Sequence, residues 1–305
     1  MDAIFSLFQP PPPPPPPPPT LLNDTTIGVA LACLAAAMAA VGVNLQRLGK
    51  QRSMPMVSLA GVALAALTGV ADMASFQFAP QSLLAPFASL GLVVNLFLAP
   101  IHGERISPLD LACTVMVVAG VAVCLSSAPA ELPPRTVDEL AALAARPAFL
   151  AWAAVEAAVF VAAVLRAKTG KAGTTLSAIA YAVTAGIFGG CTVLSAKVLT
   201  ECVRAGAPLP WLVAVGASAG LCAVSQMATL NAAVGQYSSL LVVPVFTAAS
   251  LATNASGGGI FFEEFAAFTP EQRTAYLQGV GLLLTGVFLI ASKAGGAADS
   301  SKKVQ

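Results

Sequence analysis

Charge is what this sequence has least of. Its 305 residues include only 15 Lys or Arg and 14 Asp or Glu, together about 10%, where an ordinary soluble domain carries roughly 25%. A net charge of +1 leaves no basic surface for phosphates, which excludes a nucleic-acid binder. The single histidine, His102, excludes any site built from several imidazoles. No Cys-x-x-Cys pair exists for zinc or redox chemistry, and no His-Glu-x-x-His, Walker A or Gly-x-Ser-x-Gly motif occurs. Nothing supports covalent or hydrolytic chemistry, so the chain is not expected to be an enzyme or to hold a cofactor. Short alternating strands of the membrane-barrel kind are absent too.

What is present is long apolar sequence. Hydrophobic residues make up 57% and the mean hydropathy is +0.82, which points to an all-α polytopic membrane protein. Stretches without charge, interrupted only by Asp72 in the second and Glu156 in the fifth, mark nine expected spans, near residues 25–46, 56–78, 82–101, 111–128, 147–165, 174–196, 208–230, 240–261 and 275–292. Between residues 205 and 262 there is no charge. That is too long for one span of roughly 20 residues, so a turn is placed at 231–239, where Asn231, Gly235, Gln236, Tyr237, Ser238 and Ser239 gather. A polar loop is expected after the fourth span. Cys33, Cys113, Cys124, Cys191, Cys202 and Cys222 lie in or next to apolar runs and read as small packing residues. The spacings Gly186/Gly190 and Gly216/Gly220 let helix backbones approach closely in lipid.

Three regions follow: 1–24 as a disordered proline-rich segment, 25–292 as the transmembrane unit, and 293–305 as a disordered tail. The run from Pro10 to Pro19 cannot form helix or sheet. It reads as a polyproline II rod of roughly 30 Å, a spacer or a ligand for an SH3-like domain. Nine spans put the termini on opposite sides. Ten Lys or Arg on one side against five on the other place the N-terminus outside or lumenal and the C-terminus in the cytosol, in either the plasma membrane or an endomembrane.

Two segments resemble each other. The third span has Pro86 near its start and Gly103-Glu104 past its end, and the eighth has Pro244 and Glu263-Glu264. The copies are an odd five spans apart, so the second lies upside down relative to the first. Repeats at about 25–166 and 172–292 would then be inverted, as in many secondary transporters.

Polar residues inside apolar spans are the site candidates. Asp72 lies deep in the second span, where an ionised carboxylate costs several kcal/mol unless paired or hydrated. It is either a cargo site or half of a structural ion pair, with Lys197 as the available partner. Glu156 stands alone in the fifth span. Lys197 reads as a snorkelling end residue or as a counter-ion to Asp72 or Glu201. Glu104 and Glu264 end the matching helices of the repeats. Asn44, Gln46, Asn95, Gln226 and Asn231 offer amide oxygens to cargo or to neighbouring helices.

Several motifs carry a resemblance. Phe78-Ala79-Pro80-x-x-Leu83-x-x-Pro86, Leu90 and Gly103-Glu104-Arg105 resemble the signature of the NIPA magnesium transporters, within the drug/metabolite transporter (DMT) superfamily. Asn44-Leu45-Gln46-Arg47-Leu48 resembles the end of that family's first helix, and Ser195-Ala196-Lys197 after Gly189-Gly190 its sixth. Leu230-Asn231, Val242-Val243-Pro244-Val245 and Gly257-Gly258-Gly259-Ile260-Phe261-Phe262-Glu263-Glu264-Phe265 resemble its seventh and eighth. Gly91-Leu92-Val93-Val94-Asn95 with Leu98-Ala99-Pro100 is similar to divergent microbial eukaryotic members. The likeness spans roughly 27–292, in order. Where the family often has Glu followed three residues on by Asn in the second helix, this chain has Gly69 and Asp72.

The resemblance implies a DMT-like inverted-repeat bundle that carries Mg²⁺ by alternating access. Mg²⁺ takes oxygen ligands and keeps several waters, so Asp72 as the metal-contacting residue with Asn44, Gln46 and Asn231 meets the requirement. Lys197, Glu104 and Glu264 complete the set of cargo-site candidates. A divalent cation entering a negative-inside cell gains about 4–5 kcal/mol per 100 mV, enough to drive uniport. Candidate partners are the bilayer, the divalent cation, an SH3-like domain and a second copy of the chain in a homodimer. Two rival readings remain: a DMT-type carrier of a small organic metabolite, with Lys197 binding an anion, and a non-transporting membrane scaffold.

Overall fold

The computed structural model describes residues 24–102, 106–127, 135–170, 173–237 and 239–302. The proline run and Glu104 lie outside them. The elements in order are α1 (Asp24–Gln51), α2 (Pro55–Ser75), a third span α3 (Gln81–Ile101), α4 (Pro108–Ser126), α5 (Val137–Ala144), α6 (Pro147–Thr169), α7 (Thr175–Arg204), α8 (Leu209–Gln236), α9 (Ser239–Phe261) and α10 (Pro270–Lys302). No strand occurs among the described residues.

Among those residues, eight helices are long and apolar enough to cross a membrane: all but α5 and α9. The ninth expected span is α9, 23 residues long. It is the central helix: α7, α10 and the start of α3 pack around it, and Thr253 and Asn254 are buried in that packing. The side-chain pattern is small inside and large outside. Ala32, Ala35, Ala36 and Ala40 are buried on α1, while Leu59, Leu67, Val155, Leu221 and Phe288 face outward. In lipid the tails are as apolar as leucine, so helices associate through close packing and hydrogen bonds, and small residues win the interface.

Glycine makes two of these contacts possible. A Cβ on Gly42 of α1 would sit 2.9 Å from the Gly61 carbonyl oxygen of α2, and one on Gly61 2.5 Å from that of Gly42. Between α4 and α10 the same reciprocity joins Gly120 and Gly279, at 2.7 and 2.9 Å. Of the two Gly-x-x-x-Gly spacings, Gly186/Gly190 packs on α9 as expected. Gly220 has no neighbour within 4 Å and Gly216 only Leu199 at 3.8 Å, because α8 lies at the periphery against α7.

Four features differ from expectation. The turn expected at 231–239 is shorter: α8 runs to Gln236 and α9 starts at Ser239. Asn231 to Gln236 stay helical, and Gln236 donates its amide to the Ala232 carbonyl one turn back. Polar side chains can satisfy themselves on their own helix, so polarity alone did not mark a turn. The loop after the fourth span contains α5, which Thr136 and Glu139 start as a capping box. Its Leu140 and Leu143 pack with Cys202, Phe261 and Phe262. Helices α7 and α10 run past the expected ends at 196 and 292, to Arg204 and Lys302.

The third span is broken. Pro86 has no N–H to give, and the chain runs from a single turn (Gln81–Leu84) through a tight 3-10 segment (Ala85–Ser89) before resuming as helix at Leu90–Leu98. Pro244, its expected counterpart in α9, stays within a continuous helix.

Candidate functional site

Asp72 comes one turn before α2 ends. The Ser75 hydroxyl (2.7 Å) and the Phe76 N–H (3.1 Å) both donate to its backbone carbonyl, which closes the helix there. The side chain lines a cavity of about 100 Å³. Ala32, Ala35, Ala36 and Ala39, a stripe of small residues on one face of α1, leave the space. Thr68 and Ser75 of α2, Phe76, Leu84, Ala88, Val193 and Asn254 complete the wall. Among the described residues no Lys, Arg or His lies within ion-pair distance of Asp72.

Lys197 is the partner the sequence offered, and it is engaged elsewhere. Its ammonium donates to the Phe76 carbonyl at 2.6 Å and pairs with Glu201 at 3.0 Å, both side chains about 7% exposed. Arg204 reaches the same carboxylate oxygen at 3.6 Å. The Phe262 ring lies 5.8 Å below the ammonium. Because α7 continues two further turns, Lys197 is inside the helix and does not snorkel. Of the two counter-ion roles expected for it, the structure contains the one with Glu201.

Glu264 is fully buried in the short 3-10 turn after α9. Its two oxygens accept the backbone N–H groups of Gln81 (2.8 Å) and Ser82 (2.6 Å). Those are first-turn donors of α3, which have no partner inside their own helix. A carboxylate there also meets the positive end of the helix dipole. Tyr276 of α10 donates its hydroxyl to the Ser82 carbonyl at 2.8 Å. The Gln81 amide donates to the Asn254 side-chain oxygen at 2.5 Å and to its carbonyl at 3.3 Å. One end of the bundle is thus tied across α3, α9 and α10 by buried polar bonds. A rim of ions sits beyond: Glu263 pairs with Arg146 (2.6 Å) and Arg135 (3.8 Å), and Arg273 donates to the Phe265 carbonyl.

The other candidates lie apart from the Asp72 cavity. Asn44 donates to the Asn95 side-chain oxygen at 2.6 Å and to the Ala40 carbonyl, tying α1 to α3. Gln46 is half-buried where α1 meets Gly61. Asn231 is exposed on α8. Glu156 of α6 accepts from Thr253 of α9. Thr68, Ser75, Gln81 and Asn254 are polar groups at or beside the cavity that sequence reasoning passed over. Nothing in the local sequence distinguishes Asn254 from Asn44 or Asn231; only its place on the central helix does. No group of three or more His, Cys, Asp or Glu that could hold a metal occurs among the described residues.

A bundle of membrane-length helices around a cavity with a carboxylate in its wall has the construction of a membrane transporter. The chain belongs to the magnesium transporter NIPA family, whose family model matches residues 23–294. It is 22% identical over 296 residues to "Probable magnesium transporter NIPA7" of Arabidopsis thaliana, covering 89% of this chain and 90% of that protein. It is 24% identical over 240 residues to "Probable magnesium transporter NIPA6" of the same plant, covering 76% and 72%. To "Magnesium transporter NIPA4" of Mus musculus it is 22% identical over 242 residues, covering 76% and 58%. No solved structure matches the chain.

Proposed function

We propose that this protein carries Mg²⁺ across a membrane through the Asp72 cavity, with α1 to α4 and α7 to α10 acting as two inverted halves. The observation that carries the reading is a carboxylate inside a membrane helix, facing a cavity and with no cationic partner among the described residues. A half-buried acid with no such partner is expensive to keep ionised inside a membrane span, and a cation cargo is what offsets that cost.

Cavity size fits the ion's chemistry. About 100 Å³ holds roughly three waters at ~30 Å³ each. Mg²⁺ takes six oxygens, so it would arrive partly dehydrated, with protein oxygens completing the octahedron. Packing supports the two-half reading. Helix α1 pairs with α2 as α7 pairs with α8, α3 lies on α1 as α9 lies on α7, and α4 meets α10 between them. Lys and Arg placement supports an outside N-terminus. In that orientation the Glu264 tie closes the outer end. Lys197 is already neutralised by Glu201, which weighs against the anionic-metabolite reading.

The experiment is uptake into liposomes reconstituted with the purified chain, read by a Mg²⁺-sensitive dye. A saturable, protein-dependent signal that grows with an inside-negative potential is expected. No uptake above empty liposomes would leave the metabolite-carrier or scaffold reading.

A further inference from the structure

The polar wall of the cavity is one-sided except at a single residue. Thr68, Asp72 and Ser75 all project from α2. The second half supplies only Val193 and Asn254, and Asn254 alone is polar. It is 5% exposed on the central helix α9, where an amide is retained only if its bonds are met or it has work to do.

Asn254 is also held in place. Gln81 at the start of α3 donates its amide to the Asn254 side-chain oxygen. Gln81 is fully buried, and its own side-chain oxygen has no partner. Gly258, one turn along α9, leaves the room: a Cβ there would come within 2.7 Å of the Gln81 side chain. A carboxamide oxygen has two acceptor sites. Gln81 occupies one of them, which leaves the second for a cation.

We propose that Asn254 is the cargo's ligand from the second half, its amide oxygen facing Asp72 across the transported ion. This deepens the reading of the Asp72 cavity and rests on it. Asp72 can give at most two oxygens to an ion that needs about six with only a few waters in reach. A ligand from each half also makes the cargo itself the bridge between them. Because Asn254 bonds Gln81, and Glu264 holds the same turn of α3, the cargo contact lies one residue from the tie that closes that end.

Ligand chemistry tests this directly, because softness selects the metal. Asn254→Cys places a thiol where the amide oxygen stood. Mg²⁺ uptake should fall at least tenfold, and Cd²⁺ should inhibit it at concentrations at least tenfold below those that affect the wild type, whose six native cysteines serve as the control. Asn254→Asp keeps shape and the acceptor for Gln81 while adding charge, so the half-saturating Mg²⁺ concentration should fall at least fivefold. Should the cysteine variant fail to insert, the aspartate variant decides alone. Wild-type half-saturation in Asn254→Asp, with an unchanged Cd²⁺ response in folded Asn254→Cys, would overturn this inference and leave the Asp72 reading standing. Absence of divalent-cation uptake by the wild type would overturn both.

Discussion

At the residue scale, the ionisable groups inside the bundle sort by whether they have partners. Lys197 and Glu201 neutralise each other in the protein interior, and the Phe76 carbonyl accepts a further hydrogen bond from the ammonium. Breaking such a pair costs more than forming it gains. Lys197→Met should therefore destabilise the purified protein by about 3 kcal/mol, leaving Glu201 with only Arg204, and Lys197→Met/Glu201→Leu should recover most of the loss. Melting curves in detergent measure both. A double variant no more stable than the single one would show that Lys197 contributes through the Phe76 carbonyl rather than through the ion pair. Asp72 was legible in the sequence as a lone acid in an apolar run, because burial of charge is costly wherever it occurs. Its surroundings were not. Lys197 was the natural counter-ion by composition, yet geometry assigns it to Glu201 one turn away on its own helix. Asn254, Gln81 and the buried Glu264 bonds join residues more than 170 positions apart, a separation that local pattern cannot resolve.

At the element scale, helix existence followed from apolar run length, while helix ends followed from chemistry that run length does not contain. The α5 start was readable from Thr136 and Glu139 three residues apart; the polarity of the segment hid it. That cap also has a pH signature. The Thr136 backbone N–H and hydroxyl hold the Glu139 carboxyl below its usual range. A lowered folded-state value gives stability that is present above the ordinary glutamate range and lost as pH falls through the folded value. The hydrogen-exchange protection factors of α5, taken relative to the intrinsic exchange rate at each pH, should accordingly fall in acid, and Glu139→Gln should remove that pH dependence. Unchanged acid sensitivity in Glu139→Gln would place its origin elsewhere. Glycine spacing was a weaker guide, since Gly216/Gly220 and Gly186/Gly190 look alike on paper and only one pair meets a helix. Gly120→Val should destabilise by about 1–3 kcal/mol through overpacking against Gly279 and Leu283. Gly220→Ala, with open space around it, should be neutral or slightly stabilising. Equal effects of the two would contradict the α4–α10 contact.

At the scale of the whole molecule, the membrane class was legible from the first composition figures, because lipid admits only chains that satisfy their backbone internally. Family membership added what composition could not. The proposed sidedness rests on the Lys and Arg bias. A single cysteine placed at Thr169 on an otherwise cysteine-free chain should react with an impermeant thiol reagent only from the cytosolic side, and one at Asp138 only from the opposite side. The reverse pattern would invert the orientation. Removal of residues 1–20 should leave insertion and uptake unchanged, since the first span begins after the proline run; loss of folded protein in the membrane would refute that.

The central claim is that the cargo cation meets Asp72. Asp72→Asn keeps the size and one acceptor oxygen but removes the charge that offsets desolvation of the ion. Flux and melting temperature measured on the same reconstituted preparation separate the possibilities. The expected result is at least a tenfold loss of Mg²⁺ uptake with melting temperature held or raised, because the neutral side chain is cheaper to bury. Near-normal uptake with a large fall in melting temperature would contradict the account and make Asp72 a structural group.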